Sequence, residues 1–288
     1  MSKTKKIYIA VNLLIILAAV LLFINNYIPY ISVIFGTKQY LIFFFASVCA
    51  VHIIKATRLY IALYGTGIGG KEYIKTYCKV TPISIIFPFK LGELFRIYCY
   101  GYLIKDYAKG TVIVLLDRFM DTAALVSIVV LMFVMNRYDV SIFIYILMLF
   151  LLSLLLIYKN FPNFYKFWKK YNLSAKASSK NLAHLKQLET ANNLYSEVKD
   201  IIKGRGMVLF LLSLAAWVVE ICNLILISKA EETKNLNIKI SEYLLSALGL
   251  EQSAEFINYT FLSITILIAA YLFIKSTEII DGKKGRKQ

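Results

Sequence analysis

At 288 residues, 59% of them hydrophobic and 17% charged, the chain is too apolar for a soluble domain of its length. Its formal net charge of +16 suits nucleic acid or an anionic membrane surface; because the charges concentrate between apolar runs, the membrane accounts for them and nucleic acid is set aside as a partner. Four cysteines without Cys-x-x-Cys spacing, and only two histidines, exclude a disulfide framework and the usual metal centres, so no metal or cofactor is expected.

The first apolar run, 7–24, ends in "LLFINNYIPY" without a small-residue cleavage site and reads as an uncleaved signal anchor. Further spans are predicted near 40–57, 111–135, 141–158, 207–228 and 256–274, runs that approach or exceed the roughly 18 apolar residues of a membrane helix. The expected fold class is all-α: a polytopic integral membrane protein with about six transmembrane helices, multi-pass in a bacterial-type inner membrane. A β-barrel would show alternating segments of about ten residues instead.

Charge sets the expected topology. The N-terminus carries Lys3, Lys5 and Lys6 without an acid, residues 159–206 carry ten Lys or Arg against three acids, and the tail 275–288 carries five against two. All three are expected on the cytoplasmic side. Residues 229–255, with three Lys against five acids, are expected outside. For this parity to hold, residues 76–104 must enter and leave on one face. They are predicted to form a re-entrant hairpin, or a pair of tightly folded helices, broken by Pro82 and Pro88. Non-helical backbone at that depth needs burial in protein or a wet cavity. Residues 1–280 thus read as one transmembrane domain with a basic amphipathic loop at 159–206, an external segment at 229–255 and a basic tail at 281–288.

The stretch "FPFKLGELFRIY" (87–98) sets charge inside an apolar region. Seven ionisable residues lie within such regions: Lys90, Glu93, Arg96, Asp117, Arg118, Asp121 and Glu220. Each costs roughly 2.5–3.5 kcal/mol at a helix centre on insertion scales, so they must pair or face water. With Pro88 opening a helix, Lys90, Glu93 and Arg96 follow at i, i+3, i+6. Asp117 and Asp121 share a face at i, i+4, with Arg118 three residues before Asp121. Glu93 is positioned to meet Arg118, and Arg96 to meet Asp117 or Asp121, while Gly92 permits close backbone approach. Two readings stay open: an ion-pair lock without a ligand, or an ion-lined cleft for a charged substrate. Glu220 is a further candidate for the cleft. Arg58, toward the end of span two, could meet a phosphate, with snorkelling to the surface the preferred reading. No catalytic residues are assigned, since nothing arranges a nucleophile with a base.

The order Pro88-x-Lys90-x-Gly92-Glu93-x-x-Arg96, then Asp117-Arg118-x-x-Asp121 opening a span, resembles the flippase-like membrane domain of lysylphosphatidylglycerol synthases and their stand-alone relatives. The motif match covers about residues 81–125; the hydropathy match covers most of the chain. Lys90 and Asp117 stand where that family commonly has Arg and Glu, and Leu59 stands after Arg58 in place of Trp. The family's second Pro- and Gly-rich element corresponds here to "NIKISEYLLSALGLEQSAE" (237–255), which has no Pro.

The resemblance implies translocation of a lipid head group, or accessory work in lipid-linked glycan pathways. Aminoacyl transfer, which a separate soluble domain performs in the full synthases, is not expected of these residues. The leading expectation is a flippase for a charged-head-group phospholipid or lipid-linked glycan intermediate, with an anionic or polyprenyl-phosphate lipid as partner. The alternative is an accessory or transferase subunit working beside glycan- or lipid-modifying enzymes, and a homo-oligomer is compatible with either.

Overall fold

A computed structural model describes residues 3–27, 41–87, 91–136, 142–174, 178–230, 236–248 and 253–284. Among them all regular structure is helical. The helices are α1 (Lys3–Tyr27), α2 (Leu41–Ala62), α3 (Gly70–Ile86), α4 (Gly92–Ile104), α5 (Tyr107–Asn136), α6 (Ile142–Ser174), α7 (Ser179–Ala230), α8 (Leu236–Leu248) and α9 (Ala254–Lys284).

Five of them contain stretches long and apolar enough to cross a membrane: Ile7–Asn25, Ile42–Ala62, Ile144–Ser174, Lys180–Ile225 and Ala254–Glu278. The outer faces of α1 and α6 expose Leu13, Leu14, Leu17, Leu149, Phe150 and Leu156. A soluble protein rarely leaves such continuous apolar surface uncovered, and lipid tails cover it without cost. These are the marks of an all-α, multi-pass membrane protein. The sixth expected span is α5, which carries Asp117, Arg118 and Asp121 in its middle.

Of the region 76–104, residues 76–86 belong to α3, which has 17 residues, and 92–104 form α4, which has 13. At 1.5 Å per residue they measure about 26 and 20 Å, each short of the roughly 30 Å of a hydrocarbon core. Pro82, expected to break this region, lies buried inside α3, and the helix runs on past it to Ile86. Pro88 and Lys90 lie outside the described residues, and α4 begins at Gly92. The two helices pack closely because Gly92 has no side chain: a Cβ there would press on the backbone of Ser84 and come within 2.8 Å of the Ile83 carbonyl oxygen. Farther along, a Cβ on Gly110 of α5 would reach 2.8 Å from Gly101 Cα of α4.

Within the stretch 159–206, expected as a basic amphipathic loop between spans, the described residues are helical: they continue α6 to Ser174 and, from Ser179, form the first part of α7. Helix α7 runs unbroken for 52 residues, about 78 Å. Phe161 stacks on Tyr195 (ring centroids 4.8 Å apart), and Lys169 meets Glu189 at 2.7 Å, joining the two helices beyond the apolar part.

Helix α7 is the central post, packed on α2, α5 and α6, while α3 packs on α4 and α9. Three apolar clusters result among the described residues, one of which joins α1, α3, α4 and α9 through Ala19, Val80, Ile83, Phe95 and Ile264; the other two flank the charged residues. Of these two, one gathers Leu59, Tyr100, Ile113, Leu116 and Leu209; the other gathers Val51, Ala124, Leu125, Ala216 and Trp217. Along α2, α5 and α7 the residues between these clusters are Lys55 and Arg58, Asp117 to Asp121, and Ser213. A polar layer is thus sandwiched between two apolar ones.

Candidate functional site

Arg58 is the hub of that layer. Its residue is 1% exposed. Its Nε donates to Asp117 Oδ1 (2.7 Å), and its Nη1 donates to Asp121 Oδ1 (2.6 Å) and Ser213 Oγ (2.8 Å). Residue 58 therefore does not snorkel. Two carboxylates one helical turn apart on α5, with a hydroxyl from α7, give the planar guanidinium better partners inside than a reach to the surface would.

Asp117 is equally buried and is shared among three cations. Besides Arg58, Arg118 Nη2 donates to its Oδ2 at 2.8 Å, and Arg96 Nη2 stands 3.8 Å from the same oxygen. Glu93 lies between α4 and α5, with Oε2 at 3.6 Å from Arg96 Nη1 and 3.7 Å from Arg118 Nε. Its other oxygen accepts from Ser84 Oγ of α3 at 2.5 Å. Arg118 Nη1 stands 3.8 Å from Asp121 Oδ2. Arg58, Arg96 and Arg118 thus balance Glu93, Asp117 and Asp121. That balance is a condition for holding six charges where water is scarce.

A second neutral pair adjoins them. Lys55 Nζ donates to Glu220 Oε1 at 2.6 Å, and its ammonium lies 5.4 Å from the Trp217 ring centroid. Tyr259 and Tyr243 donate to the two Glu220 oxygens at 3.1 and 3.0 Å. Glu220 is therefore fully engaged by α2, α8 and α9. Trp217 Nε1 donates to the Asp121 carbonyl oxygen at 3.3 Å, tying this pair to the arginine cluster.

Both groups open onto one cavity of about 240 Å³, whose charged lining is Lys55, Glu93, Arg96, Arg118, Asp121 and Glu220. That is the room of about eight water molecules, at roughly 30 Å³ each. It is enough for a phosphate-sized head group. Three lining nitrogens and oxygens are buried without a hydrogen-bond partner among the described residues: Arg96 Nε, Arg118 Nε and Glu93 Oε2. Buried polar atoms are nearly always satisfied by protein, water or a ligand.

Of the sequence-predicted residues, Glu93, Arg96, Arg118, Asp121 and Glu220 are brought to the cavity wall. Asp117 and Arg58 lie behind it and hold the wall together, and Lys90 lies outside the described residues. Residues that sequence reasoning passed over are Ser84, Ser213, Trp217, Tyr243 and Tyr259. Nothing local marks these, since each acts on a partner in another helix. Lys55 lies one turn before Arg58 on α2 and carries no further signal in the sequence. No group of histidine, cysteine, aspartate and glutamate suited to a metal ion occurs among the described residues.

No family model matches the chain, and neither a curated protein nor a solved structure matches it.

Proposed function

We propose that the chain is a lipid transporter of the flippase type, moving a phospholipid or lipid-linked glycan intermediate with a charged head group across an inner membrane through the ion-lined cavity. The observation that carries this reading is the conjunction of that cavity with the Arg96 and Arg118 guanidiniums on its wall. A lock serving stability alone gains nothing from a cavity along its charged wall, or from an Arg96 Nε buried without a hydrogen-bond partner among the described residues, since such a donor costs free energy while unmet. Arg96 and Arg118 take the phosphate. Glu93 and Asp121 hold those two cations in place, and Arg58 fixes Asp117 and Asp121 from behind.

The cavity's size fits a head group and not a whole lipid, so the apolar tails stay among the exposed faces of the helices. The likeness of the Gly92-Glu93-x-x-Arg96 and Asp117-Arg118-x-x-Asp121 stretches to flippase-like domains supports the same reading. So does the placement of Arg118 in the middle of the apolar helix α5, where ionisable groups mark substrate pathways.

A second reading is favoured by the exact charge balance of the cluster: an ion-pair lock in an accessory or transferase subunit of lipid-linked glycan or aminoacyl-phospholipid synthesis. The two readings separate in proteoliposomes containing short-chain fluorescent lipids with different head groups. Transport predicts head-group-selective movement that Arg96→Ala abolishes while the protein stays monodisperse. No movement of any lipid by well-folded wild-type protein points to the lock.

A further inference from the structure

Beside the charged cavity lies a second, apolar groove of about 510 Å³ between α2, α3 and α9, walled by Cys49, Ile53, Tyr60, Ile74, Cys78 and Leu267. Its volume falls within the range of small-molecule sites. It is open on the outer side of the bundle, where Ile53 is 66% and Ile74 48% exposed. His52 and Tyr77 belong to the walls of both the groove and the cavity. They face each other, with His52 Nδ1 3.4 Å from the Tyr77 hydroxyl. An apolar trough and a charged chamber therefore share one partition.

His52 is 7% exposed, yet its Nε2 is buried without a hydrogen-bond partner among the described residues. A neutral imidazole that accepts from the Tyr77 hydroxyl at Nδ1 carries its hydrogen on Nε2. That leaves an unmet donor where groove and cavity meet.

We infer that the groove seats one aliphatic chain of the lipid whose head group occupies the cavity, and that His52 Nε2 binds the oxygen-rich linkage between the two. The ligand class is an amphiphile with a charged head, a polar junction and at least one long chain. Each part has its counterpart in adjoining walls: cations in the cavity, an unmet donor at the partition, and apolar side chains in the groove. A soluble phosphate compound would use the cavity but has nothing to place in the groove. His52 is a positioning residue, setting how deep the head group reaches. The inference rests on the proposed function for the identity of the cavity's occupant.

The test uses the purified 288-residue chain in detergent with one equivalent of phosphatidylglycerol bearing a diazirine midway along one acyl chain. After photolysis, adducts are mapped by peptide mass spectrometry in wild type and in Ile53→Trp, which fills the groove from its exposed side without touching the core. Adducts are expected to concentrate on 49–60 and 70–78 and to fall about tenfold in the variant. Those on the exposed face of α1 stay unchanged and serve as the internal standard. Adducts spread evenly over the exposed apolar faces, or unaltered by Ile53→Trp, overturn the inference.

His52→Phe keeps the ring and removes the donor, and is expected to weaken binding of the same lipid about tenfold. An unchanged affinity removes His52 from the site. Groove adducts without transport by the wild-type protein would sink the transport reading and leave a lipid site. Transport lost in Arg96→Ala, with adducts missing the groove, would sink the groove alone.

Discussion

Replacing Arg58 by Met tests whether the polar layer is held together from behind. The substitution keeps much of the side-chain volume and removes three hydrogen bonds of 2.6–2.8 Å to Asp117, Asp121 and Ser213. It turns a cluster of three cations and three anions into one with an uncompensated carboxylate. Breaking a buried ion pair by removing one partner costs about 3–5 kcal/mol. Asp117 keeps Arg118 at 2.8 Å, so the middle of that range, about 4 kcal/mol, is expected. For a chain of this size that corresponds to about 8–16 °C in the unfolding midpoint.

The assay is thermal unfolding in detergent followed by tryptophan fluorescence, to which Trp217 reports directly through its bond to the Asp121 carbonyl. The double variant Arg58→Met, Asp117→Leu restores balance with two cations and two anions. It is expected to recover at least about half of the loss, because well-packed apolar replacements of buried pairs are often neutral. A single variant within about 2 °C of wild type, or a double variant losing as much as the sum of its parts, would refute the hub.

Other substitutions probe the rest of the frame. Gly92→Ala is expected to cost about 1–3 kcal/mol and to part α3 from α4, lowering both the unfolding midpoint and lipid movement. Lys55→Met, which leaves the Glu220 carboxylate with only tyrosine donors, should destabilise by about 2 kcal/mol, and more than Glu220→Gln, whose carbonyl still accepts from a tyrosine; the two midpoints decide the order. Arg205 donates to the carbonyl oxygens of Ile61 and Tyr64 at 2.8 and 2.9 Å. Arg205→Ala should cost about 1 kcal/mol and speed hydrogen exchange at the end of α2 and the turn after it.

The apolar runs were legible because a span is a local property of length and hydropathy. The same holds for the site's short-range geometry. Glu93 with Arg96, and Asp117 with Asp121, are set by helical period alone. Arg58 was misplaced because its burial depends on how α2 meets α5 and α7, and its partners lie 59, 63 and 155 positions away. The pairing of Glu220 with Lys55, 165 positions away, was hidden for the same reason. Pro82 was over-read: proline removes one donor, but tight packing in a helix pair keeps the axis running. Across 159–206, falling hydropathy marked where the apolar span stops and not where the helix stops. The Phe161–Tyr195 stack and the Lys169–Glu189 pair, which join α6 to α7, are tertiary.

The most direct test of the central claim is lipid movement in proteoliposomes by Glu93→Gln. The amide keeps the shape and an acceptor for Ser84 while removing a negative charge of the cavity wall that faces both Arg96 and Arg118. The account predicts that head-group-selective movement falls at least about tenfold while the unfolding midpoint drops by only a few degrees. Movement at the wild-type rate, with the protein equally folded, would contradict a translocation site at these charges.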